Sequence, residues 1–122
     1  MLFICYPKCT TCRKARSFLE STGAVFTERN IKDDKPSLSE LEQWHAKSGL
    51  PLKNFFNTSG TLYKEMKLKK KLPSMNEQEQ LALLASDGML VKRPILTDGE
   101  RVLVGFKESE WETFLHRSET ED

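Results

Sequence analysis

A short apolar strand, Leu2-Phe3-Ile4-Cys5, runs directly into Tyr6-Pro7-Lys8-Cys9-Thr10-Thr11-Cys12-Arg13-Lys14. A CxxC at the junction of a strand and a helix constrains this chain more than any other feature. The first turn of a helix carries unpaired N–H groups and the positive end of the helix dipole. Both favour a thiolate over a thiol, so the first cysteine becomes a nucleophile near neutral pH. The second lies one turn further along and can attack any mixed disulfide made by the first. Cys9 is therefore read as the attacking thiol and Cys12 as the resolving thiol. Lys8, Arg13 and Lys14 add positive charge in the same direction.

Two other readings of CxxC stand beside this one. A zinc site needs about four Cys or His ligands, and only Cys5, His45 and His116 remain, none at ligand spacing. An inert structural disulfide across so small a ring constrains the unfolded chain very little. The strand–CxxC–helix context favours a redox-active pair. Cys5 reads as a small apolar residue in the strand.

The rest of the chain follows a short element order. Leu2 to Tyr6 is apolar on both faces, as a central strand is. A helix is expected from Thr10 to Thr22, with Ala15, Phe18 and Leu19 on one face and Gly23 as its stop. Ala24 to Asn30 reads as a second strand, parallel to the first through a right-handed crossover. After a turn at Asp33 to Pro36, Ser37 and Glu40 form a capping box. Leu38, Leu41, Trp44 and His45 share the inner face of that helix, and Gly49 ends it. Leu52, Phe55 and Phe56 indicate a short helix, and Asn57-Thr58-Ser59-Gly60 a turn with some capacity as an anion nest. Leu62, Tyr63, Met66 and Leu68 indicate another helix. A further one opens at Asn76 with Glu79 and closes at Gly88. Lys92 to Thr97 and Arg101 to Val104 are strands joined by Asp98-Gly99. Glu108 to Leu115 is a last amphipathic helix, and Arg117 to Asp122 is a polar, fraying end.

The order β-α-β, helices, β-β-α is that of an α/β, thioredoxin-like fold with a helical insertion between its halves. The expected organisation is one domain over residues 1–122, with the insertion at 33–90. A chain of 122 residues carrying 38% hydrophobic residues supports one such core. Its net charge of +1 demands no nucleic acid, membrane or acidic partner. The lysines between Lys64 and Lys71 read as a solvated helix face, because no aromatic ladder accompanies them. His45 reads as a satisfied core histidine. No apolar run approaches the roughly 20 residues of a membrane span, and the first residues lack the form of a signal peptide. An odd count of three cysteines, two in CxxC, suits a reducing cytoplasm. The expectation is a cytoplasmic monomer.

Three stretches carry a resemblance along nearly the whole chain: Tyr6 to Ala15, Gly49-Leu50-Pro51-Leu52, and Lys92-Arg93-Pro94-Ile95. The chain resembles the arsenate reductase/Spx/MgsR family. It looks nearest to the branch described as arsenate reductase family protein, of which Phe55 to Gly60 and Leu84 to Leu90 are typical. In arsenate reductases a cysteine attacks arsenate while three arginines hold the oxyanion. By this resemblance Cys9 matches the nucleophile and Arg93 matches one arginine. The other two positions fall at Asn57 and near Val104 or Gly105, so two oxyanion ligands are missing. The enzymes carry serine where this chain has Cys12, which favours an intramolecular disulfide here.

In Spx-type regulators CxxC is a redox switch, and the protein binds the C-terminal domain of the RNA polymerase α subunit. Gly49 matches a glycine of that interface, while Trp44 stands where the regulator has a basic residue. The resemblance also implies a cis Pro94 facing the dithiol, with Arg93 beside Cys9. The implied function is thiol–disulfide redox chemistry by Cys9, Cys12 and Arg93, with no bound cofactor or metal. An external thiol, whether glutathione, glutaredoxin or thioredoxin, serves as reductant. The alternative is a redox-sensing regulator.

Overall fold

The computed structural model describes residues 1–120, with side chains described through His116. Its centre is a four-stranded mixed sheet in the order β2-β1-β3-β4. The strands are β1 (Leu2–Cys5), β2 (Thr27–Asn30), β3 (Ile95–Thr97) and β4 (Val102–Val104). β1 pairs parallel with β2 and antiparallel with β3, and β3 pairs antiparallel with β4. This is the thioredoxin-like arrangement expected from the element order.

Successive residues of a strand point to opposite faces, and β1 uses both. Phe3 and Cys5 face α1 (Thr10–Thr22) and α6 (Glu108–Thr120), where they meet Cys12, Ala15, Leu19, Trp111 and Phe114. Ile4, with Ile95 and Val102, faces the helices that lie between β2 and β3. Those are α2 (Leu38–Ser48), α3 (Thr61–Glu65), α4 (Leu68–Lys71) and α5 (Glu77–Ser86). The continuous apolar character of β1 follows from this: both its faces are covered.

Helix termini match the residues that signal them. Ser37 and Asn76 each close a capping box, with Glu40 and Glu79 respectively. Glu40 also takes two bonds from the Arg29 guanidinium, at 2.6 and 2.9 Å, and so ties α2 to β2. That guanidinium, together with the Ser37 bonds, holds the Glu40 carboxyl down at about 2. Gly23 and Gly49 end α1 and α2 in the left-handed conformation that glycine adopts without steric penalty.

Several boundaries differ from the sequence reading, each for a visible reason. β2 starts at Thr27, not Ala24. The parallel pairing begins with Leu2 opposite Thr27, and Val25, ahead of it, is left 88% exposed. β3 begins at Ile95, because the Lys92 N–H bonds to the Phe55 carbonyl and Pro94, after a cis bond, has no N–H. The expected helix over Leu62 to Leu68 is two short helices, separated by Lys67 in a left-handed conformation. Leu38 does not join the inner face of α2; it occupies the first helical position, ahead of the buried Leu41 and Trp44, and is 41% exposed.

Gly88 is not a helix stop. Asp87 ends α5, and Gly88 begins a 3₁₀ turn over Gly88–Leu90. α6 continues to Thr120, beyond the expected Leu115. The fraying expected at the end of the chain partly concerns Glu121 and Asp122, which lie outside the described residues. Among the described residues no helix is long and apolar enough to cross a membrane.

Candidate functional site

Register explains why Cys9 and Arg93, 84 positions apart in sequence, meet at one place. β1 and β3 are antiparallel with Ile4 opposite Ile95. The end of β1 therefore lies beside the start of β3, and the turn Tyr6 to Cys9 faces Arg93 and Pro94. The Arg93 guanidinium sits 5.2 Å from the Tyr6 ring centroid, a cation–π contact. The arrangement implied by the family resemblance is present: the Arg93–Pro94 bond is cis, and Arg93 is beside Cys9.

Cys9 is the N-cap of α1, in extended conformation, with no side-chain cap of its own. Its sulfur therefore stands over the free N–H groups of the first turn. Partial burial pushes the Cys9 thiol up. The Cys12 and Thr11 N–H groups, the Cys12 thiol and the Arg93 guanidinium together outweigh that, and Cys9 lies below the ordinary cysteine range. Cys12 is the opposite case. It is 1% exposed, and burial, with the Cys9 charge adding to it, pushes its thiol up to about 12. The Tyr6 N–H reaches its sulfur at 3.3 Å but does not offset this. One thiol is partly open and ready to ionise; the other is buried and held protonated.

Cys5 lies fully buried in β1, and burial together with the Glu28 carboxylate raises its thiol. Arg16 Nη2 is 3.8 Å from its sulfur and is committed to Glu28. The apolar packing role read for Cys5 agrees with this burial. All three cysteines are free thiols in this structure.

Cys9 opens onto a cavity of about 810 Å³. Asn57, Arg93, Val104 and Gly105 all line it. The three positions that the resemblance assigns to oxyanion arginines thus converge in space, although only one is an arginine. Backbone bonds bring them together. Asn57 N–H donates to Leu90 O and Lys92 N–H to Phe55 O, each at 2.8 Å, which fixes the Asn57–Gly60 turn beside Arg93. Gly105 N–H donates to Pro94 O at 2.8 Å on the other side. Gly105 has φ +81°, a conformation in which an arginine is strained. Arg93 Nη1 is buried without a hydrogen-bond partner among the described residues.

Sequence reasoning did not single out Lys92, Phe106 and Lys107, which also line the cavity. Lys92 stands next to Arg93 in a stretch already noted, so adjacency was the available signal. Phe106 and Lys107 lie in the β4–α6 connection, where no periodicity points inward. His45 packs edge-on against Phe55 and lies 3.2 Å from Glu77, the satisfied histidine expected. Among the described residues no group of three or more His, Cys, Asp or Glu is placed to hold a metal ion.

The Arg93 contact yields a direct expectation. In Arg93→Met the cation that favours the Cys9 thiolate is gone, so the Cys9 pKa rises. Iodoacetamide alkylation of Cys9, followed against pH by intact mass, then has its inflection at higher pH, and the rate at pH 7 falls. An unchanged inflection means that the helix N-terminus alone sets Cys9 reactivity.

Comparison with known proteins agrees with this geometry. The ArsC family model matches residues 5–114. The Bacillus subtilis protein YusI, which is described as uncharacterized, is 57% identical over 112 residues, covering 92% of this chain and 95% of its own length. A global transcriptional regulator Spx 1 from Oceanobacillus iheyensis is 32% identical over 118 residues, covering 92% of this chain and 84% of that protein. Among solved structures, an ArsC-family-related protein of Bacteroides fragilis is 55% identical with TM-score 0.88, covering 92% of this chain and 94% of that one. The family match spans the dithiol, the cis proline and strands β2, β3 and β4, and the chain belongs to the ArsC family.

Proposed function

We propose that this chain is a thiol–disulfide exchange protein in which Cys9 attacks, Cys12 resolves and Arg93 favours the Cys9 thiolate. The observation that carries this reading is the division of labour within CxxC. Cys9 sits half-open at a helix N-cap with its thiol held low, and Cys12 sits buried one turn on with its thiol held high. A low thiol attacks and also leaves well. A buried, protonated partner waits until the mixed disulfide forms beside it. Arg93 lines the cavity beside Cys9 and places a cation there for an anionic group of the incoming substrate. The external reductant is a thiol such as glutathione, glutaredoxin or thioredoxin.

The cavity supports arsenate reduction poorly. A dianion needs several charge-assisted bonds, and the two other positions expected to carry arginine present an amide and a small left-handed segment.

The test is a titration of the pair in glutathione and dithiothreitol buffers, with free thiols counted by alkylation and intact mass. The expected midpoint lies within roughly −200 to −300 mV, where a pair can cycle against cellular thiols. A pair that never oxidises, or cannot be reduced, overturns the proposal.

The relatives described as Spx favour a second reading, a redox-sensing regulator that binds the C-terminal domain of the RNA polymerase α subunit. Gly49 is present and exposed for it. Trp44 speaks against it, being 7% exposed and part of the core, so it offers no side chain to a partner. A pull-down with that domain, oxidised against reduced, separates the readings: binding in neither state removes the regulator.

A further inference from the structure

The surroundings of Cys9 are larger and more cationic than a small thiol requires. Phe106 borders the Cys9 cavity and also a second groove, of about 550 Å³, that runs along the outer face of α1. Arg13, Lys14 and Phe18 line this groove. Phe18 and Phe106 pack with their ring centroids 5.7 Å apart and give the junction an apolar floor. Cavity and groove meet at Phe106 as one track, with Cys9 lining the cavity part of it.

Five cations and three carboxylates line the cavity and the groove. Arg13 and Lys14 line the α1 side, with Lys8 exposed in the turn before that helix; Lys92, Arg93 and Lys107 line the other. Among the described residues none of these six forms an ion pair with a carboxylate. Arg13 is held in place by the Pro7 and Lys8 carbonyls, at 3.1 and 3.4 Å. The carboxylates bordering the track are Glu65, Asp87 and Glu108, and Asp87 Oδ1 already accepts the Met89 N–H. The whole chain has a net charge of only +1, so this excess of cations is a local concentration of charge.

We infer that the partner exchanging disulfides at Cys9 is a polypeptide whose cysteine is flanked by carboxylates. This rests on the thiol–disulfide reading above and names the class of partner for that site. A reacting cysteine in the partner excludes nucleic acid, and a concave track with the thiol in its cavity part suits a chain segment. The cations steer the acidic flank and hold it across Phe18 and Phe106.

The exchange balances as follows. The Cys9 thiolate attacks one sulfur of the partner disulfide, that S–S bond breaks, and the departing thiolate takes a proton from water. Cys12 then gives its proton to solvent and attacks the Cys9 sulfur. This releases the partner's remaining thiolate, which is protonated in turn. The partner is reduced to two thiols, and Cys9–Cys12 is oxidised to one disulfide.

The test uses the reduced full chain and three synthetic peptides, each carrying one cysteine as its mixed disulfide with 2-thiopyridine. Their cysteines are flanked by Glu, Gln or Lys. The expected order of second-order rates at low salt is Glu, then Gln, then Lys, with roughly tenfold between the ends. Salt at about 0.5 M collapses the order, because the screening length falls to a few ångströms. Lys14→Glu and Lys107→Glu each shrink the Glu preference. Lys47→Glu makes the same change in net charge beside the β3–β4 hairpin, where Lys47 bonds Gly99 O, and retains the preference. Equal rates for the three peptides, or a preference untouched by salt, overturn the inference and leave the exchange activity standing. No reaction with any peptide overturns both.

Discussion

Cys9→Ser abolishes disulfide exchange, whereas Cys12→Ser leaves the first attack intact and stops the second. The two cysteines occupy environments too different to substitute for one another. Cys9 is at the helix N-cap, open to the cavity, with its thiol lowered. Without it the remaining thiols are Cys12 and Cys5, both buried and both raised. A thiol held near 12 is almost entirely protonated at pH 7, and a buried sulfur cannot reach a partner disulfide. The expected loss in Cys9→Ser is roughly a thousandfold or more in turnover of a model disulfide.

Cys12→Ser behaves differently. Cys9 still attacks, but no internal thiol displaces the adduct. The mixed disulfide with the substrate therefore accumulates and is visible by intact mass as one adduct per chain. Turnover of Cys12→Ser at the wild-type rate with no adduct would falsify the assignment of Cys12 as the resolving thiol. The two variants thus separate a dithiol mechanism from a single-thiol one.

The largest expected effect on stability comes from a glycine remote from the chemistry. Gly88→Ala places a Cβ 1.9 Å from the Ile31 carbonyl oxygen and 2.9 Å from its carbon. Both are backbone atoms, so no side chain can rotate away. The chain after α5 passes flat against the residue that follows β2. Either the 3₁₀ turn at Gly88–Leu90 or the backbone at Ile31 must shift. Ile31 is fully buried and its N–H is bonded to Cys5 O at 2.8 Å, so its shift disturbs β1 as well. Overpacking of this kind costs about 3 kcal/mol, which for a domain of this size lowers Tm by roughly 10 °C. Thermal unfolding by circular dichroism measures it. Gly23→Ala serves as comparison: it meets nothing within 4 Å and pays only for its left-handed φ of +74°. A Gly88→Ala protein with wild-type Tm shows that the contact with Ile31 relaxes freely.

Gly88 also shows where sequence reading stops. A glycine after a helical run signals a helix end, and that was its reading from the chain alone. In the folded chain its φ is ordinary; it is needed because another backbone crosses within 2 Å of where its Cβ would be. Local pattern carries the first kind of information and not the second. The same limit applies to Leu38, apolar and in phase with Leu41 but exposed, and to Val25, apolar but exposed ahead of the parallel pairing. Helical phase says which residues share a face. It does not say how far the neighbouring element extends.

The chemistry-bearing dithiol was legible for the opposite reason. CxxC between a strand and a helix is a local feature, and much of what sets Cys9 apart from Cys12 arises within a few residues, with Arg93 and the packing around Cys12 added by the fold. The N-cap position, the free N–H groups of the first turn and the inward direction of the second cysteine all follow from one helix start. Both capping boxes, the stops at Gly23 and Gly49 and the β-α-β order were equally local and appeared where expected. The cavity was not legible in this way. It depends on three long-range backbone connections: Asn57 to Leu90, Lys92 to Phe55 and Gly105 to Pro94. These bring Asn57, Arg93 and Gly105 around Cys9, and they leave Lys92 and Lys107 facing the same space. Short-range physics, helix phase and capping chemistry, determined from sequence alone where the two thiols sit, Cys9 at the helix N-cap and Cys12 buried one turn on. The register of β3 against β1 decided what surrounds them, because pairing between distant strands is chosen by burial of the whole sheet and by no single stretch of it.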